Sequence, residues 1–412
     1  MEAEARANPV SRNAFRVALC SFLIIMVDGY DTLMISFLAP LLTKEWGLQP
    51  IEIGRIFAVG YLGAVIGALA MGPLADRLGR KPTLVTALVF AAVTTSLSGS
   101  AGSLVTFMTL RFLTGIALGG ALPALIALTA EHAGPERRNG TVTLMYIGYP
   151  AGAVLGGAVT AALLHLGWRT IMFGAGGASL AAAAVAVTLP DTIQRIKSIP
   201  PKSARRAMFT EQFADGRLWP ALMLWVAVFC MLMLTYFLLS WVPSMIVERG
   251  GTPQVAALGG VLLNLGGVAG ALATAPIVNR YGPYRPIVVL VTVGAIMVAL
   301  LGQHLGPLSV IMIVLFGCGV CVMGAQLNFP AMTVVLFPPH VRGAGGGWTM
   351  GFGRLGSIFG PLVGAALIAA GLDAPTLFVT AAIPALVAAA AIFGASRLQR
   401  LGPAHTIGDI MN

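Results

Sequence analysis

Twelve long apolar runs constrain this chain more than any other feature of its sequence. About 20 apolar residues are enough to cross a bilayer. Windows of that size give runs at approximately 17–43, 51–74, 83–101, 104–130, 141–164, 169–189, 218–247, 254–278, 286–303, 307–337, 343–370 and 374–396. A backbone in lipid satisfies its hydrogen bonds only as a helix or a closed barrel, and these uniform runs lack the alternation of a barrel. The sequence therefore predicts an all-α polytopic membrane protein with twelve transmembrane helices.

The composition excludes an ordinary soluble protein. Of the 412 residues, 57% are hydrophobic and 10% are charged, whereas soluble domains carry about 25% charged residues. Such a chain has too few polar side chains to cover a surface in water, so the lipid bilayer is its expected partner. The net charge of +10 is explained by basic loops on the cytoplasmic side of a membrane, and we expect no nucleic-acid partner.

The basic residues also predict the orientation. If both termini are cytoplasmic, the loops on the opposite side carry only Lys44, Arg55, Arg169 and Arg249. Nearly all the other basic residues then lie on the cytoplasmic side, as the positive-inside rule requires. We therefore expect a multi-pass protein with both termini in the cytoplasm.

A polar, basic stretch separates six runs from six. We interpret it as a cytoplasmic linker between two bundles rather than as a folded domain, because it is short. The predicted divisions are an N-terminal tail at 1–16, a six-helix bundle at 17–189, the linker at 190–217, a second six-helix bundle at 218–397 and a C-terminal tail at 398–412.

The two halves repeat each other weakly. The loop 72-GPLADRLGRKP-82 has an echo in 275-APIVNRYGPYRP-286. Parallel internal repeats of this kind are a known transporter plan, in which the substrate binds between the halves near the middle of the membrane.

Two acids interrupt the first run. Asp28 and Asp31, in 27-VDGYDTLMISF-37, are spaced i, i+3 and therefore share one face of a helix. Facing lipid, each would cost about 2.5–3.5 kcal/mol, so they must face the protein interior or water. Burial and the repulsion between two acids both favour uptake of a proton. We predict that this pair couples transport to protons; a fixed salt bridge to Arg111 is the alternative, and one division of roles pairs Asp28 and leaves Asp31 free.

Two arginines also lie inside runs. Arginine stays charged in proteins, so each needs an anion. For Arg111 the candidates are Asp28, Asp31 or an anionic substrate. The run that contains Arg354 has no acid, so we predict that Arg354 binds a carboxylate of the substrate; pairing with backbone carbonyls or reaching the membrane surface is the alternative.

Polar and aromatic residues near the middle of other runs complete the predicted pocket. The amides stand out, because an amide in an apolar run needs a partner. The predicted substrate-binding residues besides the two arginines are Tyr149, Tyr236, Gln326 and Asn328, and further candidates are Tyr146, Trp241, Asn264 and Trp348. The four cysteines lie in apolar runs and the five histidines are scattered, so we expect no metal, no cofactor and no enzymatic activity.

Several motifs resemble one family. The loop 72-GPLADRLGRKP-82 and the stretch 111-RFLTGIALGG-120 resemble signatures of the major facilitator superfamily. The first-run DGYD, 131-EHAGPERRNGTVTLMYIGYPAGAVLGG-157 and 342-RGAGGGWTMGFGRLGSIFGPLVG-364 together resemble its aromatic acid:proton symporter branch. This resemblance covers nearly the whole chain. It implies a monomeric transporter of a bacterial inner membrane that imports an aromatic carboxylate with protons by alternating access.

The resemblance also implies roles for individual residues. Acids of the DGxD motif and of the signature loop are important in that branch, and so are arginines of the fourth and eleventh spans. The corresponding residues here are Asp28, Asp31, Asp76, Arg111, Glu131, Arg342 and Arg354.

A charge cluster at the predicted cytoplasmic mouth is expected to act as a gate. Ion pairs among its members would hold one conformation and break in the other, whereas a solvated basic loop is the alternative. The predicted gating residues are Asp76, Arg77, Arg80, Glu131, Arg138 and Arg342.

Two other transport functions stay open. One is proton-coupled transport of another small organic anion, such as a dicarboxylate or a sugar acid. The other is proton-driven export. The stretch 148-GYPAGAVLGG-157 does not fit the glycine–proline pattern of proton-driven drug exporters, which favours import.

Overall fold

A computed structural model describes residues 9–132, 138–190, 210–303, 306–339 and 341–401. These ranges contain twelve helices that are long and apolar enough to cross a membrane, and they contain no strand. The all-α prediction is therefore confirmed. The helices are α1 (Pro9–Trp46), α2 (Pro50–Leu78), α3 (Arg80–Gly99), α4 (Leu104–His132), α5 (Arg138–Leu163), α6 (Trp168–Val187), α7 (Leu218–Glu248), α8 (Pro253–Tyr281), α9 (Tyr284–Gly302), α10 (Leu308–Leu336), α11 (Arg342–Ala369) and α12 (Ala374–Leu401).

The helices are longer than most of the apolar runs. Helix α1 begins at Pro9 and α12 ends at Leu401, so each continues into a predicted polar tail. A helix keeps its backbone hydrogen bonds after the hydrophobic side chains end, and hydropathy therefore underestimates its length. Most of the predicted linker, residues 191–209, lies outside the described residues.

Helix α10 departs from regular α-helix near its middle. The segment Leu308–Cys318 is α-helical, Gly319–Met323 is a π-helix, and Gly324–Leu327 and Phe329–Leu336 are α-helical on either side of Asn328. Pro330 has no amide hydrogen for the carbonyl four residues earlier, which contributes to the break at Asn328. The run 307–337 predicted one unbroken helix, because hydropathy does not report backbone hydrogen bonding.

Glycines allow α2 and α4 to touch along their backbones. A Cβ atom at Gly115 would lie 2.1 Å from the carbonyl oxygen of Gly60, and one at Gly119 would lie 2.1 Å from that of Ala64. No side chain fits in those gaps. The two glycines thus form a close-packing face, of the kind that membrane helices use in place of hydrophobic attraction.

The described helices fall into two compact units. The first contains α1–α6 together with Leu238–Leu265 and Pro361–Ala370. The second contains the rest of α7, α8 and α11 with α9, α10 and α12. The first unit therefore includes the end of α7, the beginning of α8 and the end of α11.

Aromatic rings and backbone contacts hold these added segments in the first unit. The Trp241 Nε1–H group donates to the carbonyl oxygen of Pro361 at 3.1 Å. The Trp241 ring meets that of Phe57 edge to face, with 6.4 Å between centroids. A Cβ atom at Gly54 of α2 would lie 2.5 Å from the Cβ of Ala365. The end of α11 thus packs directly on the beginning of α2.

Candidate functional site

Asp31 of α1 pairs with Arg111 of α4 inside the membrane-spanning part of the protein. A guanidinium nitrogen of Arg111 donates to Asp31 Oδ2 at 3.3 Å, and each side chain is 4% exposed. A buried charge is tolerated only when it is paired and hydrogen-bonded. Asp31 and Arg111 are paired with each other, so the first condition, pairing, is met.

Hydroxyl groups of α3 and α4 meet the second condition. The Nη2 group of Arg111 donates to the hydroxyl oxygens of Thr95, Ser98 and Thr114 at 3.0, 3.2 and 3.0 Å. Thr95 in turn donates to Asp31 Oδ1 at 2.9 Å. We call Asp31, Thr95, Ser98, Arg111 and Thr114 the charge network. It connects α1, α3 and α4, and it uses up much of the hydrogen-bonding capacity of the guanidinium.

The charge network identifies the partner of Arg111 in this structure. Of the partners proposed for Arg111, the structure provides Asp31. Asp31 is therefore not free in this structure, because the hydroxyls of α3 hold the guanidinium beside it. Which of the two acids carries the proton stays a prediction. Asp28 lies one turn earlier on α1 and is half-buried.

Sequence reasoning missed the hydroxyl members of the network. The signal was the cluster 94-TTSLS-98 within an apolar run. Isolated hydroxyls in a membrane helix usually bond to the backbone one turn earlier, as Thr86 does to Pro82 at 2.9 Å. Four hydroxyl residues within five positions are more than this local role requires.

The glycine of DGYD explains how this motif can pack. A Cβ atom at Gly29 would lie 2.1 Å from the carbonyl oxygen of Tyr149 on α5. The two acids therefore flank a point where α1 and α5 touch through their backbones. Tyr149, a predicted pocket residue, is half-buried at this contact.

Arg354 differs from Arg111 in its surroundings. Its side chain is half-buried near the middle of α11, a helix without acidic residues. Among the described residues, no acid pairs with its guanidinium. One face of α11 packs tightly, since a Cβ atom at Gly356 would lie 2.2 Å from the carbonyl oxygen of Phe229. Arg354 follows Gly347 and Gly351 on another face, where an added Cβ would meet nothing within 4 Å.

Gln326 and Thr235 lie together in the second unit. The Thr235 hydroxyl donates to Gln326 Oε1 at 2.6 Å, which leaves the amide hydrogens of Gln326 for another acceptor. Asn328 donates to the carbonyl oxygen of Gly324 at 2.9 Å, and Tyr236 is half-buried. Thr235 was not among the predicted residues, because a single threonine in an apolar run carries no distinctive signal.

A family model described as Major Facilitator Superfamily matches residues 19–361. The chain belongs to this superfamily. Its fold agrees: TM-scores are 0.77 with a bacterial homolog of the human lysosomal transporter Spinster and 0.76 with a D-xylose-proton symporter. Those matches cover 96% and 94% of this chain and 99% and 98% of the other chains, at 14% and 16% identity.

Several relatives of this facilitator are named as transporters of aromatic acids. It is 30% identical to the 4-hydroxybenzoate transporter PcaK of Pseudomonas aeruginosa, over 95% of this chain and 94% of that protein. It is 31% identical to the gallate transporter of Pseudomonas putida, over 97% and 95%. It is also 31% identical to the 3-(3-hydroxy-phenyl)propionate transporter of Escherichia coli, over 98% and 99%. The chain is thus a multi-pass membrane transporter and not an enzyme.

One predicted gating contact of this facilitator lies within the described residues. Arg80 at the start of α3 forms an ion pair with Glu131 at the end of α4. The second carboxylate oxygen of Glu131 is buried without a hydrogen-bond partner in the described part of the chain. Two helix ends are therefore joined by a partly buried charge pair.

The other predicted gating residues of the facilitator do not form one visible cluster. Arg77 is exposed, and Arg342 donates to the carbonyl oxygen of Phe337 at 3.3 Å. The side chains of Asp76 and Arg138 lie outside the described residues. The gating role of the set stays a prediction.

Proposed function

We propose that this transporter imports an aromatic carboxylate together with protons by alternating access across a bacterial inner membrane. The observation that carries the proposal is the difference between the two intramembrane arginines. Arg111 is neutralised by Asp31, whereas Arg354 has no acidic partner among the described residues. Arg354 is a permanent cation near the middle of α11, so it is suited to bind a substrate that carries a carboxylate.

The aromatic part of the substrate is inferred from the relatives. Proteins named for 4-hydroxybenzoate, gallate and 3-(3-hydroxy-phenyl)propionate transport match nearly the whole chain. Their named substrates share one carboxylate and a hydroxylated ring. A monoanion of this kind is the best candidate for Arg354.

The proton is assigned to the pair Asp28 and Asp31. Protonation of Asp31 would remove the ionic part of its bond to Arg111 and weaken the link between α1 and α4. A network that binds α1 to α4 strongly in one protonation state and weakly in the other can shift the equilibrium between two conformations. Substrate and proton together would then favour the state that opens inward.

The test of substrate class is uptake into proteoliposomes. Labelled 4-hydroxybenzoate is supplied outside at acidic pH, with benzoate, gallate, protocatechuate, muconate and a sugar acid as competitors. Protein-free liposomes are run in parallel, because a weak acid accumulates passively in an alkaline lumen. We expect saturable uptake by the transporter, inhibited by aromatic monocarboxylates and not by the sugar acid.

Two variants connect this assay to Arg354. Arg354→Gln should remove saturable uptake, because the carboxylate would lose its cation, while Arg354→Lys should retain part of it. Arg55→Gln, which changes an exposed arginine of α2, is the control and should transport normally. Full uptake by Arg354→Gln would refute the carboxylate assignment. Preference for the sugar acid or muconate would replace the aromatic substrate with another organic anion, and net efflux would replace import with export.

A further inference from the structure

A buried amide oxygen near the middle of α8 lacks a hydrogen-bond donor. The side chain of Asn264 is fully buried. Its Nδ2 group donates to the carbonyl oxygen of Gly260 at 2.9 Å, whereas its Oδ1 atom is buried and accepts from none of the residues that the structure describes. An acceptor left in this state is costly, and a donor on a bound molecule would remove that cost.

The orientation of this amide follows from its neighbour. A carbonyl oxygen can only accept a hydrogen bond, so the nitrogen of Asn264 must face Gly260 and the oxygen must face away. If the two amide atoms were exchanged, Asn264 Oδ1 would face the carbonyl oxygen of Gly260, and two acceptors would be in contact. The free acceptor is therefore directed away from the backbone of its own helix.

The face of α8 that carries Asn264 is turned toward α1 and α5. A Cβ atom at Gly260 would lie 2.6 Å from the Phe37 ring of α1, and one at Gly157 of α5 would lie 2.9 Å from the Val261 side chain. Asn264 follows Gly260 by four residues and Val261 by three, so it shares their face. All five residues belong to the first compact unit.

Asn264 lies closer than Gly260 to the level of Asp31. Successive spans alternate in direction, so α1 and α8 run antiparallel. The step of one turn along α8 from Gly260 to Asn264 therefore has the same direction in space as the step back along α1 from Phe37 toward Asp31. The free oxygen thus lies on a face turned toward the helix that carries the predicted proton site, near mid-membrane, where transporters with internal repeats bind substrate.

We propose that Asn264 Oδ1 accepts a hydrogen bond from a hydroxyl group on the ring of the transported acid. Asn264 would then be a specificity residue that selects hydroxylated rings over unsubstituted ones. This inference rests on the proposed function and adds to it a preference among ring substituents. A site built to bond a hydroxyl rejects an analogue without that donor, because the buried acceptor is then left unpaired. A methoxy group of similar size cannot donate and should be rejected too.

The first test uses the wild-type transporter. Benzoate, the three monohydroxybenzoates and their methyl ethers are compared as competitors of labelled 4-hydroxybenzoate uptake. At least one hydroxybenzoate should compete about tenfold better than both its methyl ether and benzoate, as expected for one hydrogen bond to a buried acceptor. Equal competition within every hydroxyl–methoxy pair would overturn the inference.

The second test removes the acceptor. Asn264→Leu is close in volume and apolar, and it should reduce the hydroxyl-to-methoxy preference to near unity while benzoate still competes. Asn264→Ala repeats the test with a smaller side chain. Asn279→Leu, an exposed asparagine of the same helix, is the matched control and should keep the wild-type preference. The preference is a ratio within one preparation, so it does not depend on protein yield.

Each remaining outcome also has one meaning. An unchanged preference in both Asn264 variants would overturn the inference and leave aromatic acid transport intact. Absence of aromatic acid transport in the wild type and in Asn279→Leu would reject the proposed function, and this inference with it. If neither Asn264 variant folds, the wild-type comparison decides alone.

Discussion

At the scale of single residues, the charge network contributes to the stability of the fold and also contains the aspartate proposed to couple transport to protons. Asp31 and Arg111 are buried, and each is tolerated because the other is present. Removing one partner of a buried pair typically costs about 3–5 kcal/mol, because the remaining charge is left uncompensated. Stability and proton coupling therefore have to be separated by experiment.

Asp31→Asn alone should destabilise the transporter strongly, whereas Asp31→Asn combined with Arg111→Gln should recover much of the loss, because no uncompensated charge remains. Thermal unfolding in detergent measures both effects. A double variant as unstable as Asp31→Asn would mean that the pair does not act as a unit.

The hydroxyl of Thr95 bonds to two charged side chains, so its removal should destabilise the fold. Thr95→Val removes an acceptor from Arg111 and a donor from Asp31, so we expect a loss of about 1–3 kcal/mol in the free energy of unfolding. Thr86→Val changes an exposed threonine of the same helix whose hydroxyl, within the described residues, bonds to nearby backbone alone. Equal unfolding temperatures for the two variants would contradict the network.

At the scale of helices, the contact between α2 and α4 depends on missing side chains. Gly115→Val would place carbon atoms where the Gly60 carbonyl oxygen lies, and α2 and α4 could not keep this separation. We expect loss of folded protein. Gly177→Val, in α6, meets nothing within 4 Å at its Cβ and should be tolerated. The yield of monodisperse protein in size-exclusion chromatography compares them.

Individual helices also show what a sequence can and cannot predict. Hydropathy located all twelve spans, because lipid imposes length and apolarity on each. It did not predict the π-helical segment of α10, which depends on local backbone hydrogen bonds. The acids and arginines were recognised because charges are rare in lipid. The hydroxyls of Thr95, Ser98 and Thr235 were missed, because their importance comes from partners on other helices.

At the scale of the whole molecule, the distribution of basic residues predicts the orientation. Thr252 and Tyr281, both exposed, lie at opposite ends of α8. In a background without the four native cysteines, Thr252→Cys should react with a membrane-impermeant maleimide in intact cells. Tyr281→Cys should react only after the membrane is permeabilised. The reverse pattern would invert the topology.

The central claim for the whole molecule is that aromatic acid import is driven by protons through Asp31. The most direct measurement compares gradient-driven accumulation and exchange of labelled 4-hydroxybenzoate in proteoliposomes, for wild type and for the Asp31→Asn, Arg111→Gln double variant. The wild type should accumulate substrate above protein-free vesicles when the outside is acidic, and a protonophore should abolish this. The double variant should exchange internal for external substrate without accumulating it. Undiminished, protonophore-sensitive accumulation by the double variant would contradict the account.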